Sequence, residues 1–286
     1  LELPQTADYV RKVLTELGYR PENIGISGVV ATLGQGERTL LLRADMDALQ
    51  VEECNTLPFR STNGNMHACG HDMHTAILLG AAEVLKRHEQ ELGCRVKLVF
   101  QPGEELGTGA ESLVKAGLLE NPRVDAAAAL HVDSTIEVGE CSYCTGVATS
   151  DIYDIFIQLR GKGGHSSTPD LCVDPIMIAN QIYTALNMLM TREVSPQAVA
   201  TLSGGVMRSG TAVNIIPDTA DLQVGLRTYN VEARKHVLER LPEIVDAYAK
   251  AWHGEYEITM FNCPCTFTDE TTTKAVSYTH LTLPTT

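Results

Sequence analysis

The densest chemistry in the chain lies in residues 66–74, Met-His-Ala-Cys-Gly-His-Asp-Met-His, which place one cysteine, three histidines and an aspartate within nine positions. Thiolate, imidazole and carboxylate are the side chains that ligate transition metals. Further donors stand elsewhere: Asp45 and Asp47, the adjacent Glu104 and Glu105, and His131. A metal held by Cys69, His71, Glu105 and His131 would mix sulfur, nitrogen and oxygen donors, enough for one catalytic ion or for two sharing a ligand. A metal pair lowers the pKa of a water held between the ions. Glu104 neighbours a ligand yet is free to point elsewhere, which suits a general base. In isolation a Glu-Glu pair is a solvated turn, and a Cys-His pair is a buried thiol beside exposed imidazoles. The density of donors is what points to a metal.

These residues need elements that converge. After His74 comes an apolar, helix-favouring run beginning at Thr75, so the ligands sit at the mouth of a helix, and Gly70 lets the backbone turn between Cys69 and His71. A helix N-terminus is expected to lower the Cys69 pKa and favour its thiolate. Residues 39–47, 95–101 and 124–131 read as strands, with Asp45 and Asp47, then Glu104 and Glu105, then His131 at or just past their ends. Helical spacing marks residues 7–17 and 109–116, and residues 24–33 read as one strand. Alternating strands and helices predict an α/β domain with a mainly parallel sheet, whose ligand sites lie beyond the carboxyl ends of the strands.

From residue 151 the pattern changes. Residues 151–160 alternate as a strand, and a glycine-rich loop, Gly161-Lys-Gly-Gly-His-Ser-Ser-Thr-Pro, follows. Residues 174–190 predict a helix with Ile176, Ala179, Ile182, Leu186 and Leu189 on one face, and residues 231–252 a second, long one. Strands are expected at 198–202, 220–228 and 256–261. Two helices among about four strands predict a small α+β sandwich inserted as a second domain.

A chain of 286 residues accommodates two such domains. Its net charge of -14 argues against nucleic acid and anionic membrane surfaces as partners. No apolar run approaches the ~20 residues of a membrane span. Eight cysteines in a chain of this size, without a secretory leader, are expected to be reduced in a cytoplasmic enzyme. Cys141-Ser-Tyr-Cys144 and the Cys263, Cys265 pair have no second C-x-x-C or His pair beside them and read as incidental.

Six motifs then appear in order: Leu42-Arg-Ala-Asp-Met-Asp-Ala-Leu, Met66-His-Ala-Cys-Gly-His-Asp-Met-His, Phe100-Gln-Pro-Gly-Glu-Glu, Ala129-Leu-His-Val, Gly161-Lys-Gly-Gly-His-Ser-Ser and Asn214-Ile-Ile-Pro-Asp. Together they resemble the aminoacylase/carboxypeptidase-like dinuclear metallohydrolases. The branch they are most similar to is that of the bacterial amidohydrolases that cleave hippurate, N-acyl amino acids and indoleacetyl-amino acid conjugates. The resemblance implies an α/β metallopeptidase-type catalytic domain carrying an inserted α+β lid that also dimerises the protein. The expected boundaries are 1–146 for the first part of the catalytic domain, 147–258 for the lid, 259–275 for the start of the second catalytic part, and 276–286 for a non-native tail. By the same resemblance Cys69, His71, Glu105 and His131 hold two divalent metals, manganese preferred and zinc, nickel or cobalt possible. Glu104 is the base that takes a proton from the attacking water, and Asp47 orients a ligand. His165 stabilises the tetrahedral intermediate in the neighbouring subunit of a homodimer, and Asn214 and Arg227 bind a small N-acyl amino acid substrate. The family places one more histidine ligand near its C-terminus, and no residue here fills that role, so the second metal is expected to be under-coordinated and the chain to have little activity. Two other readings stand beside the enzyme: a metal-holding binder of acyl amino acids without turnover, and a hydrolase using Cys69 as nucleophile. Glu104 argues against the first, since a binder needs no free base. Glu104, Glu105 and His131, which a thiol nucleophile does not require, argue against the second.

Overall fold

The computed structural model of the chain describes residues 1–281, with side chains through residue 276. Of the tail at 276–286, residues 282–286 lie outside the described residues. The chain divides into two compact units, the first Leu1–Ser142 and the second beginning at Tyr143.

The first unit is an α/β layer structure. Its elements are α1 (Pro4–Glu16), β1 (Glu22–Ile24), β2 (Gly28–Leu33), β3 (Thr39–Asp45), α2 (His71–Arg87), β4 (Arg95–Gln101), α3 (Gly109–Lys115) and β5 (Ala126–Ala129). The strands form one sheet in the order β1-β2-β4-β3-β5. Strand β4 lies in its middle, and its apolar run is buried on both faces. Val96, Leu98 and Phe100 pack with Val10 and Leu14 of α1 and with Leu78 and Ala82 of α2. On the opposite face Val99 meets Leu113 of α3, Leu41 and Leu118. Helix α2 buries His71, His74, Thr75, Leu78 and Ala82, a stripe at helical spacing.

Two expectations are corrected here. The sheet is mixed: β3 runs parallel to β4 and β5, but β2 is antiparallel to both β1 and β4. Residues 24–33 are not one strand, because Gly25 at φ +61° turns the chain into a β1–β2 hairpin. The feature that matters for chemistry survives, since β4, β3 and β5 are mutually parallel neighbours. Their carboxyl ends therefore share one edge, and the loops holding Glu104 and Glu105, Asp47, and His131 leave from it.

The second unit holds β6 (Gly146–Val147), β7 (Asp151–Arg160), β8 (Gly164–His165), α4 (Pro175–Arg192), β9 (Ala200–Ser209), β10 (Ile215–Ile216), β11 (Thr219–Thr228), α5 (Val231–Ala251), β12 (Glu255–Cys263), β13 (Phe267–Thr268) and α6 (Glu270–Leu281). An antiparallel sheet, β12-β7-β11-β9, carries α4 and α5 on one face. Ile155, Ile157 and Leu159 of β7 and Leu222, Val224 and Leu226 of β11 point into that core, meeting Ile178, Ile182 and Leu186 of α4 and Val237, Leu241 and Val245 of α5. Ile176 is a further correction: it is exposed, and Ile178 takes the inward place. The helix starts at Pro175, with Asp174 capping it through the Ile176 and Met177 N–H groups. Among the described residues no helix is long and apolar enough to cross a membrane.

Candidate metal centre

Every proposed ligand in the first unit comes from the shared edge of β4, β3 and β5. His71 opens α2 and is fully buried. Its Nδ1 lies 3.0 Å from the Asp47 carbonyl, which can only accept, so Nδ1 carries the proton and Nε2 keeps its lone pair. That Nε2 stands 3.8 Å from Glu105 Oε1, 3.8 Å from Glu104 Oε2 and 3.6 Å from Asp45 Oδ2. Cys69 Sγ lies 3.3 Å from His131 Nε2, while His131 Nδ1 donates to the Val132 carbonyl at 2.6 Å. Both imidazoles thus turn an unprotonated Nε2 toward the other donors.

Cys69 with His71 and His131, and His71 with Glu104 and Glu105, bring one ligand atom each to within 4.8 Å of one another. His71 belongs to both groups. His71 Nε2, Glu105 Oε1 and Asp47 Oδ1 are buried acceptors with no hydrogen-bond partner. Leaving such atoms unpaired costs about 1–3 kcal/mol each, and a divalent cation among them removes that cost. The residues present therefore fit a metal on the chemistry of the donors and on the orphaned atoms alike. Asp47 stands behind two of them. Its carbonyl holds the His71 ring, and its Oδ2 accepts the Glu105 N–H at 3.0 Å.

The electrostatics correct one expectation. Burial, and after it the Glu105 carboxylate, pushes the Cys69 thiol up to about 11 rather than down. Gly70 caps α2, so Cys69 precedes the helix and faces acids instead of the helix N-terminus. A bound cation reverses that balance, since a coordinating thiol is deprotonated. Burial also raises the Glu104 carboxyl, with Glu105 and Asp45 adding to the effect and His71 and Arg43 opposing it. A carboxyl poised upward at the rim is suited to accept and return a proton.

Residues 41–281 match the sequence pattern of peptidase family M20/M25/M40. The chain belongs to this family. N-acetyl-L-cysteine deacetylase of Bacillus subtilis is 36% identical over 252 residues, covering 87% of this chain and 60% of the relative. The IAA-amino acid hydrolase ILR1-like 4 of Arabidopsis thaliana is 36% identical, with 86% and 56% covered, and the hippurate hydrolase of Campylobacter jejuni 38%, with 88% and 67%. The crystal structure of the Bacillus subtilis YXEP protein, described as a dinuclear metal binding peptidase from the M20 family, superposes with a TM-score of 0.80 at 30% identity, covering 97% of this chain and 73% of that one. The chain thus spans about six-tenths of the length of the first two of these relatives.

The remaining residues expected at the site of this M20 chain, His165, Asn214 and Arg227, lie in its second unit. His165 and Asn214 are brought together: β8 pairs with β10, and the Ser166 N–H donates to the Asn214 carbonyl at 3.1 Å. A recess of about 510 Å³, lined by Gly163, Gly164, Arg208, Ile216 and Asp218, opens beside this ladder. Arg227 is not brought to them. It lies near the far end of β11, about 26 Å from Thr219 at ~3.3 Å per residue. Its guanidinium pairs with Asp154 at 3.0 Å and also donates to the Tyr153 carbonyl. Cys54, Cys69, Cys94, Cys141, Cys144, Cys172 and Cys265 are free thiols. Sequence reasoning passed over His74, whose two nitrogens are both engaged inside the protein, and the signal was present: at i+3 from His71 it shares the inward face of α2.

Proposed function

We propose that this chain is the metal-binding part of an amidohydrolase that cleaves the amide bond of small N-acyl amino acids, with Glu104 as general base. The observation that carries this is the rim carboxylate of Glu104 3.8 Å from the lone-pair nitrogen of His71, beside the half-buried Glu105, whose Oε1 is buried and short of a donor. Family membership and the named activities of the relatives support the substrate class. Cys69, His71, Glu105 and His131 would hold two divalent cations, which polarise the scissile carbonyl and acidify the attacking water. Glu104 takes one proton from that water as its oxygen bonds to the carbonyl carbon. The same carboxyl delivers the proton to the amide nitrogen as the C–N bond breaks, giving a carboxylic acid and a free amine, and the second proton of the water then passes from the acid to the amine to leave carboxylate and ammonium. Asp47 keeps His71 and the Glu105 backbone in place through the reaction. A thiolate among the donors suits zinc or cobalt, and the carboxylate and imidazoles admit the manganese or nickel expected from the resemblance.

The second unit, with 147–258 as lid and dimer contact of a cytoplasmic homodimer, completes the proposal. His165, beside Asn214, donates to the developing oxyanion in the neighbouring subunit's site and Asn214 contacts the substrate there, while Arg227, at the far end of β11 from them, binds the amino-acid carboxylate of its own subunit's substrate after exchanging Asp154 for it. The test is amine release from N-acetyl amino acids and hippurate by the metal-loaded chain and by Glu104→Gln, with metal content measured on both. Retained metal with turnover down about 10²–10⁴-fold in the variant is expected. Equal rates in the two proteins remove Glu104 from the mechanism, and intact binding without any turnover by the parent chain leaves the binder reading.

A further inference from the structure

A row of hydrogen bonds, continued by one ion pair, joins the strand ends and loops around the proposed ligands. Arg43 Nε donates to Gln101 Oε1 at 2.9 Å, and its terminal nitrogen meets Asp45 Oδ2 at 2.7 Å. Asp45 Oδ1 lies 2.6 Å from His74 Nδ1, and the Val132 N–H donates to His74 Nε2 at 2.9 Å. The Val132 carbonyl in turn holds Nδ1 of His131 at 2.6 Å. An N–H can only donate, so His74 Nε2 is the acceptor and its proton sits on Nδ1, facing Asp45. Both nitrogens are spent, and His74 is not free to ligate anything. Asp45 is 0% and His74 2% exposed, so the pair at the centre of the row is shielded from competing water.

We propose that His74 is the positioning residue for the ligand His131. Val132 is the link: His74 holds its N–H, in the peptide that joins it to His131, and its carbonyl, in the next peptide, fixes the tilt of the His131 ring, which turns Nε2 toward Cys69. His131 itself is exposed and follows a short edge strand, so little else in the first unit restrains it. A histidine suits this place because a rigid ring carries a donor at one depth and an acceptor at another. Through Asp45, Arg43 and Gln101 the same row reaches the strand end just before Glu104 and Glu105, so β3, β4, α2 and the loop after β5 are held in one register.

The inference rests on the metal reading of Cys69 and His131, and two variants test it. His74→Asn retains a donor at the depth of Nδ1 for Asp45 and loses the reach to Val132. His74→Gln retains an acceptor at the depth of Nε2 for Val132 and gives up Asp45. Zinc alone, titrated calorimetrically into the full metal-free chain, is the probe. We expect His74→Asn to bind zinc about 10–100-fold more weakly and His74→Gln to stay within about threefold of the parent. A side chain that only fills the core would give equal losses in both, or none in either, and each of those results overturns the inference. A parent chain that takes up no zinc fails the metal reading instead. The parent also offers a measurement independent of any variant: in the metal-free protein, nitrogen–nitrogen coupling across the hydrogen bond should link the Val132 amide to His74 Nε2. Absence of that coupling overturns the inference even where a variant does not fold.

Discussion

Lys97 is 3% exposed and lies on the central strand β4, where a charged residue needs a reason. Its ammonium donates to three carbonyls, those of Leu118, Glu120 and Pro122, at 2.9, 2.8 and 2.8 Å. It thus replaces the solvent that the loop after α3 turned away from. Lys97→Met keeps the apolar stem and orphans three acceptors, so it should lower unfolding free energy in urea by about 3–5 kcal/mol. A loss under ~1 kcal/mol would mean that the loop finds other donors. Tyr19 gives a pH signature. Burial, with a smaller contribution from Glu89, raises its phenol from 10.0 to about 12, and its hydroxyl donates to the Ala82 carbonyl at 2.7 Å. A raised folded-state pKa means stability fully present below pH 10 and lost as the pH climbs through about 12. The loss amounts to roughly 3 kcal/mol at ~1.4 kcal/mol per unit. Tyr19→Phe should cost about 1 kcal/mol at pH 8 and then fall less steeply than the parent between pH 10 and 12. Parallel curves for the two proteins across that window would refute the assignment.

Gly70 shows what an element boundary does for the centre. It caps α2 at φ +86°, and a Cβ there would lie 2.4 Å from Val132 Cγ2. The Cys69 loop and the His131 loop therefore touch at a point where only glycine fits. Gly70→Ala should cost about 1–2 kcal/mol for the left-handed backbone and must also displace Val132, weakening zinc binding about tenfold. Gly64, at φ +81° with nothing within 4 Å, supplies the comparison, since alanine there pays for the backbone without touching a ligand loop. Equal zinc affinities for the two variants would refute the role given to the contact. The elements themselves were largely legible. The apolar run of β4, the acids ending β3 and the stripe of α4 follow from periodicity alone, and the donor types of Cys69, His71, Glu105 and His131 pointed to the edge where they gather. Pairing direction did not follow, because side-chain alternation is the same in parallel and antiparallel strands. Ile176 falls outside the inward stripe because it stands six residues before Ile182, about 120° round a 3.6-residue helix, whereas Ile178 and Ala179 precede Ile182 by four and three. The rise of the Cys69 thiol is not legible locally, because its causes, burial first and then the carboxylates of Glu105, Glu104 and Asp45, come from residues far from it in sequence. His74 looked like one more donor in a donor-rich stretch until Asp45 and Val132 appeared on its two nitrogens.

Each unit of the molecule has its own core, Ile155 and Leu241 belonging to one and Phe100 and Leu14 to the other. The proposed ligands all lie in Leu1–Ser142. A ligand that binds only the folded state stabilises what it binds, by about 2.7 kcal/mol at a free concentration of 100 Kd. Metal binding should therefore act on the two cores unequally. Backbone amides that exchange only through opening of the first unit, such as those of Leu98 and Phe100 in β4, should slow about 100-fold when zinc is added at that excess. The amides of Ile157 in β7 and of Leu222 and Leu226 in β11, which belong to the other core, should exchange at unchanged rates. Hydrogen exchange read by mass spectrometry on the metal-free and zinc-loaded chain resolves the two sets of peptides. Slowing confined to the second unit would show that the cation is held by residues other than Cys69, His71, Glu105 and His131. Equal slowing in both would mean that the units open together, and the binding energy would then be shared by the whole chain rather than delivered to the edge where β4, β3 and β5 end.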